Sequence, residues 1–74
     1  MSKIGILGAG AWGIALGMNA YKNGHDILIW HYDKDKASLL NKNRKTPSLE
    51  EINIPKGINF VGNLRELIDS DILI

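Results

Sequence analysis

Glycines at positions 8, 10 and 13 separate two segments of different hydrophobic period, and this juxtaposition narrows the folds open to the chain more than any other feature. Before them, Lys3-Ile4-Gly5-Ile6-Leu7 is a short, near-continuous apolar run, the pattern of a strand buried on both faces. After them, Ile14, Ala15, Leu16, Met18, Ala20 and Tyr21 recur at spacings a helix uses, and Asn23-Gly24 supplies a C-terminal stop. The first unit therefore reads as strand, glycine turn, helix.

The same alternation continues. Asp26-Ile27-Leu28-Ile29-Trp30 is a second apolar run with the length of a central parallel strand. Asp33 or Asp35 caps a short helix in which Ala37 and Leu40, three apart, face the core while Lys34, Lys36 and Lys42 face water. That helix decays into Asn41-Lys42-Asn43-Arg44-Lys45. Thr46-Pro47 is able to start one helical turn over Leu49 and Ile52, since proline is tolerated at the first helical position. Pro55-Lys56-Gly57 breaks the chain again, so the whole stretch reads as an irregular connection. Ile58 to Val61 forms a third strand, and Asn63 with Glu66 three residues later opens a helix through Ile68. Asp71-Ile72-Leu73-Ile74 begins a fourth strand. Strand and helix alternate throughout, which points to a parallel sheet with right-handed crossovers. An unfinished buried strand exposes apolar side chains and unpaired backbone, so the chain reads as a fragment of a longer protein.

Composition removes several classes of function. At 74 residues the chain holds one small domain or a piece of a larger one, and its net charge of +1 argues against strong non-specific binding to nucleic acid or to a membrane surface. It has no cysteine, hence no disulfide framework, thiolate metal site or sulfur nucleophile, and a reducing compartment fits. The uncharged run after Lys3 is broken by Gly5, Gly8, Gly10, Gly13 and Gly17, and Met18-Asn19-Ala20 is a poor cleavage site, so it does not read as a secretory signal. Asn19 and Lys22 also cut it short of a membrane span. His25 and His31 stand on either side of a strand with no acid or cysteine at ligand spacing, so no metal site is expected.

The glycine turn carries the chemistry. A G-x-G-x-x-G hexapeptide alone is weak evidence, but here Gly8, Gly10 and Gly13 directly follow a strand and directly precede a helix, as a dinucleotide fingerprint requires. Gly8 permits the tight turn, Gly10 lets a pyrophosphate approach the backbone, and Gly13 lets the helix lie close on the strand. The amides of Ala11 and Trp12 then point at the phosphates from the positive end of the helix dipole. Gly17 and Ala20 extend the small stripe begun at Gly13. Trp12, off that stripe, is expected to project toward a cofactor or an interdomain cleft. Asp33, about 20 positions beyond Gly13, stands where an acid bonds the adenosine ribose, and equally where an N-cap belongs. Tyr32 either flanks the adenosine or is a partly exposed aromatic. Lys34 and Lys36 belong to a solvated basic face or reach the 2′-phosphate of NADP.

The segment Gly8-Ala9-Gly10-Ala11-Trp12-Gly13-Ile14-Ala15-Leu16-Gly17 resembles the opening of the NAD(P)-dependent glycerol-3-phosphate dehydrogenases of bacterial type, with the aromatic inside the glycine motif as the selective feature. Asn23-Gly24-His25-Asp26, Leu28-Ile29-Trp30 and Asp33 are similar to the family's next strand. Leu64-Arg65-Glu66-Leu67 and Ser70-Asp71-Ile72-Leu73-Ile74 look like the helix and strand preceding its valine-proline-serine turn. Ile14 departs from the usual threonine or serine, Ser48-Leu49-Glu50 stands where a tyrosine-leucine-proline segment is usual, and Tyr32 replaces an arginine or histidine.

The resemblance implies an α/β, Rossmann-type parallel sheet, of which residues 1–74 are the N-terminal part of the dinucleotide-binding domain, ending in the fourth strand. It further implies NAD, or NADP, as cofactor and hydride transfer between NAD(P)H and dihydroxyacetone phosphate, giving glycerol 3-phosphate for phospholipid synthesis. The intact protein would be a cytoplasmic homodimer. Its catalytic lysines and helical substrate domain would lie beyond Ile74, so no catalytic residue is assigned within this chain. Rival readings are another two-domain dehydrogenase such as ketopantoate reductase, a non-enzymatic NAD-sensing module, and a flavin-binding or methyltransferase domain.

Overall fold

The computed structural model describes residues 2–8, 10–45 and 53–74. In chain order it contains β1 (Lys3–Leu7), α1 (Ala11–Lys22), β2 (Asp26–Trp30), α2 (Lys34–Asn43), β3 (Ile58–Val61), a 3-10 turn (Leu64–Leu67) and β4 (Ile72–Leu73). The strands form one sheet in the order β3-β2-β1-β4, and every pairing is parallel. Parallel neighbours need long crossovers, and α1 and α2 supply the first two. The expected α/β architecture and its four strands are present.

Register explains why the strands read as apolar runs. Ile4 and Ile6 pair with Ile27 and Ile29, and these in turn pair with Ile58 and Phe60. Residues in register share a face, so six large side chains line one side of the sheet. Ile14 of α1 and Ala37 of α2 are buried in the same cluster, with Met18, Ala20 and Leu40 packed at its margin. The small stripe on α1 brings the helix close. A Cβ at Gly17 would stand 3.2 Å from side-chain carbons of both Ile27 and Ile29, tighter than ordinary contact. Asn23 and Gly24 end the helix, Gly24 at φ 87° with its N–H donating to the Tyr21 carbonyl at 3.0 Å.

The opposite face has a thinner cover. Leu67 of the 3-10 turn is buried there, its Cδ2 standing 3.2 Å from where a Gly5 Cβ would be. The helix expected through Ile68 is only this single turn. Asp71 already donates its N–H to the Lys3 carbonyl at 2.7 Å, so the chain is committed to the β4 side of the sheet three residues after Ile68 and has no length for a second turn. Leu64 and Ile68 accordingly stay exposed, and no apolar stripe forms.

Two further expectations change. α1 begins at Ala11, inside the glycine hexapeptide, and α2 runs to Asn43 with Asn41 as a helical residue. α2 ends at Arg44, which takes a left-handed conformation at φ 57°. The Arg44 carbonyl accepts from Ile54 N–H at 2.8 Å, and its guanidinium donates to the carbonyls of Pro55 and Ile58. One residue thus ties the end of α2 to the approach of β3. The expected turn at Thr46-Pro47 over Leu49 and Ile52 lies outside the described residues.

Candidate dinucleotide-binding site

The strand order creates the site. The chain builds β1, β2 and β3 outward in one direction, then crosses back to lay β4 on the other side of β1. At such a reversal the connections leave the strand ends in opposite directions, and a crevice opens at their carboxyl ends. The glycine turn occupies that crevice. Leu7 N–H donates to the Ile74 carbonyl at 2.8 Å and Gly8 N–H to the Trp30 carbonyl at 3.1 Å, so the turn is held between the ends of β4 and β2.

Each glycine has a separate physical role. Gly8 has φ 127°, a region that side chains disfavour. A Cβ at Gly13 would collide with the Gly8 carbonyl oxygen, so only glycine lets α1 start this close to β1. Among the described residues an added Cβ at Gly10 would meet nothing within 4 Å, so their packing does not require glycine there. The open space over Gly10 is the approach a phosphate would use. Gly10 is also the N-cap of α1 in an extended conformation, with no side-chain cap bond and no acid in the first turn. The first intrahelical bond in this turn runs from Ile14 N–H to the Gly10 carbonyl at 3.0 Å. Helix geometry leaves the amides of Ala11 and Trp12 outside the ladder, at the positive end of the dipole and with no acidic residue in the first turn to quench it. This donor set, with its open cradle, fits a pyrophosphate.

Two hollows flank the cradle and share Gly8 and Gly10. One, of about 320 Å³, is bounded by Leu7, Trp12, Leu16 and Ile74. Trp12 is 86% exposed and so stands clear of the core. The other, of about 310 Å³, lies at the end of β2 against Trp30, His31 and Tyr32. There the rings of His31 and Tyr32 stack with centroids 4.8 Å apart and planes 26° from parallel. Tyr32 is 74% exposed, so one face of its ring is open.

Asp33 is the N-cap of α2. Its Oδ1 accepts from Asp35 N–H at 2.9 Å and from Lys36 N–H at 3.3 Å. Among the described residues no hydrogen bond falls on Oδ2. Capping, one of the two roles the sequence offered, therefore occupies Oδ1 and leaves Oδ2 free to serve the other. Lys34 lies with its stem against Gly62, in a hollow beside β3 that also includes Ser38 and Glu66. Lys36 is exposed.

The sequence pattern missed His31. Its Nδ1 accepts the Asp33 N–H at 2.9 Å, closing a local ring two residues wide. The signal was the i to i+2 spacing, which an asparagine or aspartate at the first position would have announced as an Asx turn. His25 stands at the other end of β2, where its Nδ1 accepts from Ser2 N–H at 3.1 Å. Among the described residues no three His, Cys, Asp or Glu side chains gather as a metal group.

Comparison with known proteins agrees with this geometry. The family described as NAD-dependent glycerol-3-phosphate dehydrogenase N-terminus matches residues 3–74. A glycerol-3-phosphate dehydrogenase (NAD(P)+) of Fusobacterium nucleatum subsp. nucleatum is 43% identical over 76 residues, covering 100% of this chain and 23% of its own length. Those of Agathobacter rectalis and Leuconostoc citreum are each 36% identical over 76 residues and 100% of the chain, which covers 23% and 22% of them. The chain thus spans roughly a quarter of the curated relatives it matches. No solved structure matches it. A glycine turn at a parallel sheet's reversal point, with the family match across nearly every residue, places this chain in the NAD-dependent glycerol-3-phosphate dehydrogenase N-terminal family.

Proposed function

We propose that this chain supplies the adenosine- and pyrophosphate-binding part of an NAD(P)-dependent glycerol-3-phosphate dehydrogenase, which reduces dihydroxyacetone phosphate to glycerol 3-phosphate. The observation that carries this reading is the bare approach over Gly10 onto the uncapped start of α1. The backbone amides of Ala11 and Trp12 would hold the pyrophosphate, with Gly8 and Gly13 setting the turn that aims them. Tyr32 would lie against the adenosine, and Asp33 Oδ2 would accept from a ribose hydroxyl. Trp12 would wall the hollow that leads from the pyrophosphate toward the nicotinamide half. When bound, the nicotinamide supplies the hydride, and the protein's part is to hold and orient it.

The Asp33 carboxylate favours NAD over NADP in this reading, because a 2′-phosphate would meet a like charge. The substrate, the catalytic groups, assembly as a homodimer and a cytoplasmic location rest on resemblance to full-length relatives. No helix among the described residues is long and apolar enough to cross a membrane.

The test is Gly10→Val in the full-length protein. The new side chain fills open space rather than core, so the melting temperature should stay close to wild type while NADH affinity falls by about a hundredfold or more, equivalent to roughly 2.7 kcal/mol. Wild-type NADH affinity in the folded variant, measured by calorimetry, would remove the basis of the reading.

A further inference from the structure

We propose that His31 is a positioning and specificity-determining residue of the adenosine half of the site, acting through Tyr32 and Asp33 and offering a donor of its own. The inference rests on the dinucleotide reading of the glycine turn and deepens it. Three observations converge on this side chain. Its ring stacks on Tyr32 at 4.8 Å. Its Nδ1 accepts the Asp33 N–H at 2.9 Å. Its own N–H donates to the Val61 carbonyl at 2.9 Å, pinning its backbone to the neighbouring strand β3.

The first contact orders an otherwise free platform. A tyrosine at 74% exposure would sample several rotamers. Stacked on a histidine anchored at both Nδ1 and backbone, it presents one fixed ring face beside Gly8 and Gly10, the shape that suits a flat purine. The second contact orients the ribose acceptor. Asp33 has its amide held by His31 and its Oδ1 held by the start of α2, so Oδ2 projects from a residue fixed at both ends.

The third element is His31 Nε2. A neutral imidazole whose Nδ1 accepts a hydrogen bond carries its proton on Nε2. No hydrogen bond among the described residues uses that donor, and Nε2 is not among the buried unpartnered atoms, so it is open to a ligand. His31 and Tyr32 line the hollow at the end of β2 and bring a donor and an aromatic face to it, and the Asp33 acceptor follows on a residue whose amide is bonded to His31. A ribose hydroxyl both donates and accepts, and this pair matches it. A 2′-phosphate only accepts at neutral pH and cannot use the carboxylate. The chemistry selected is an adenosine with free ribose hydroxyls.

The test measures binding of NADH, NADPH and ADP-ribose to the full-length protein by calorimetry, together with the melting temperature without ligand. His31→Asn keeps an acceptor for the Asp33 amide but loses the ring, whereas His31→Phe keeps the ring but loses the acceptor and the donor. One hydrogen bond or one stacked pair corresponds to a change of roughly threefold. Each variant should therefore weaken NADH and ADP-ribose by about threefold, His31→Ala by about tenfold, and NADPH should be affected less, so that the preference for NADH shrinks. The KM for NADH should rise with kcat nearly unchanged, and melting should shift little in His31→Asn. Unchanged NADH affinity and preference in all three variants, with Gly10→Val still abolishing binding, would overturn the role of His31 and leave the dinucleotide reading standing. Equal weakening of NADH and NADPH in step with lost stability would also overturn it, as the mark of a residue that only holds the fold. Loss of no affinity in Gly10→Val would instead reject the dinucleotide reading itself.

Discussion

Asp33 shows how one side chain could serve fold and ligand together. Its Oδ1 carries both cap bonds of α2, and in the proposed reading Oδ2 would accept from a ribose hydroxyl. Asparagine is about as good an N-cap as aspartate, because the cap needs an oxygen acceptor rather than a charge. Asp33→Asn should therefore leave thermal stability within about 0.5 kcal/mol of wild type, whereas Asp33→Ala, which removes the acceptor, should cost about 1 kcal/mol. The two substitutions should agree on cofactor choice. A like-charge contact near 4 Å is worth roughly 4 kcal/mol at an effective dielectric near 20, while exposed lysines such as Lys36 typically return 1 kcal/mol or less. Removing the charge in either variant should raise kcat/KM for NADPH relative to NADH by about tenfold or more. Kinetics with the two cofactors check this, and an unchanged ratio would show that Oδ2 does not read the ribose.

Among the elements, β3 is the outer strand of the described sheet, and a side chain partners its free edge. Asn41 Nδ2 donates to the Phe60 carbonyl at 2.7 Å, and Phe60 N–H donates back to Asn41 Oδ1 at 2.8 Å, so one amide imitates a neighbouring strand. Asn41→Leu would strip both main-chain groups of partners in a partly buried place, at a cost of about 2 kcal/mol, and would reopen an edge for pairing with another chain. A lower urea midpoint and concentration-dependent association, read by sedimentation, are the expected results; an unchanged midpoint would show that water replaces the amide at no cost. None of this pairing was legible in the sequence, where Asn41 looked like the start of a fraying tail, because a helix-to-strand contact across 19 positions leaves no local period. What was legible is what repeats locally. The runs at Ile4–Leu7, Ile27–Trp30 and Ile58–Val61 announced strands by their short apolar length, with one face of each packed under the helices, and Gly8, Gly10 and Gly13 announced the cradle because each has a backbone reason to be glycine or to tolerate it. The 3-10 turn was overread as a helix, since Asn63 and Glu66 supply a start signal and nothing in the pattern shows how soon the chain must rejoin the sheet. The His31 contact was missed because histidine is seldom a local backbone acceptor.

For the molecule as a whole, the two faces of the sheet differ in how they are covered. Two helices pack over the isoleucine face, whereas among the described residues only the 3-10 turn packs over the face that carries Gly5, and Leu7, Ile68 and Leu73 are about half exposed or more. Small domains already bury a limited share of their surface, so a half-covered sheet leaves little margin for stability. In the proposed reading the half of the cradle from Gly8 to Asp33 would face the adenosine and pyrophosphate. The other half of a doubly wound site is built by strands on the far side of the reversal, and of these the described residues contribute β4 alone. Hydride transfer needs the nicotinamide held against a bound substrate with its reacting atoms about 3 to 3.5 Å apart, and that demands walls on both sides. The purified 74-residue chain should therefore show no turnover of dihydroxyacetone phosphate with NADH. Its affinity for NADH should be weaker than that of the full-length protein by about tenfold or more, the equivalent of roughly 1.4 kcal/mol of lost contacts. A coupled spectrophotometric assay and a calorimetric titration on the isolated chain measure both quantities, and measurable turnover would mean that these residues alone complete a catalytic site.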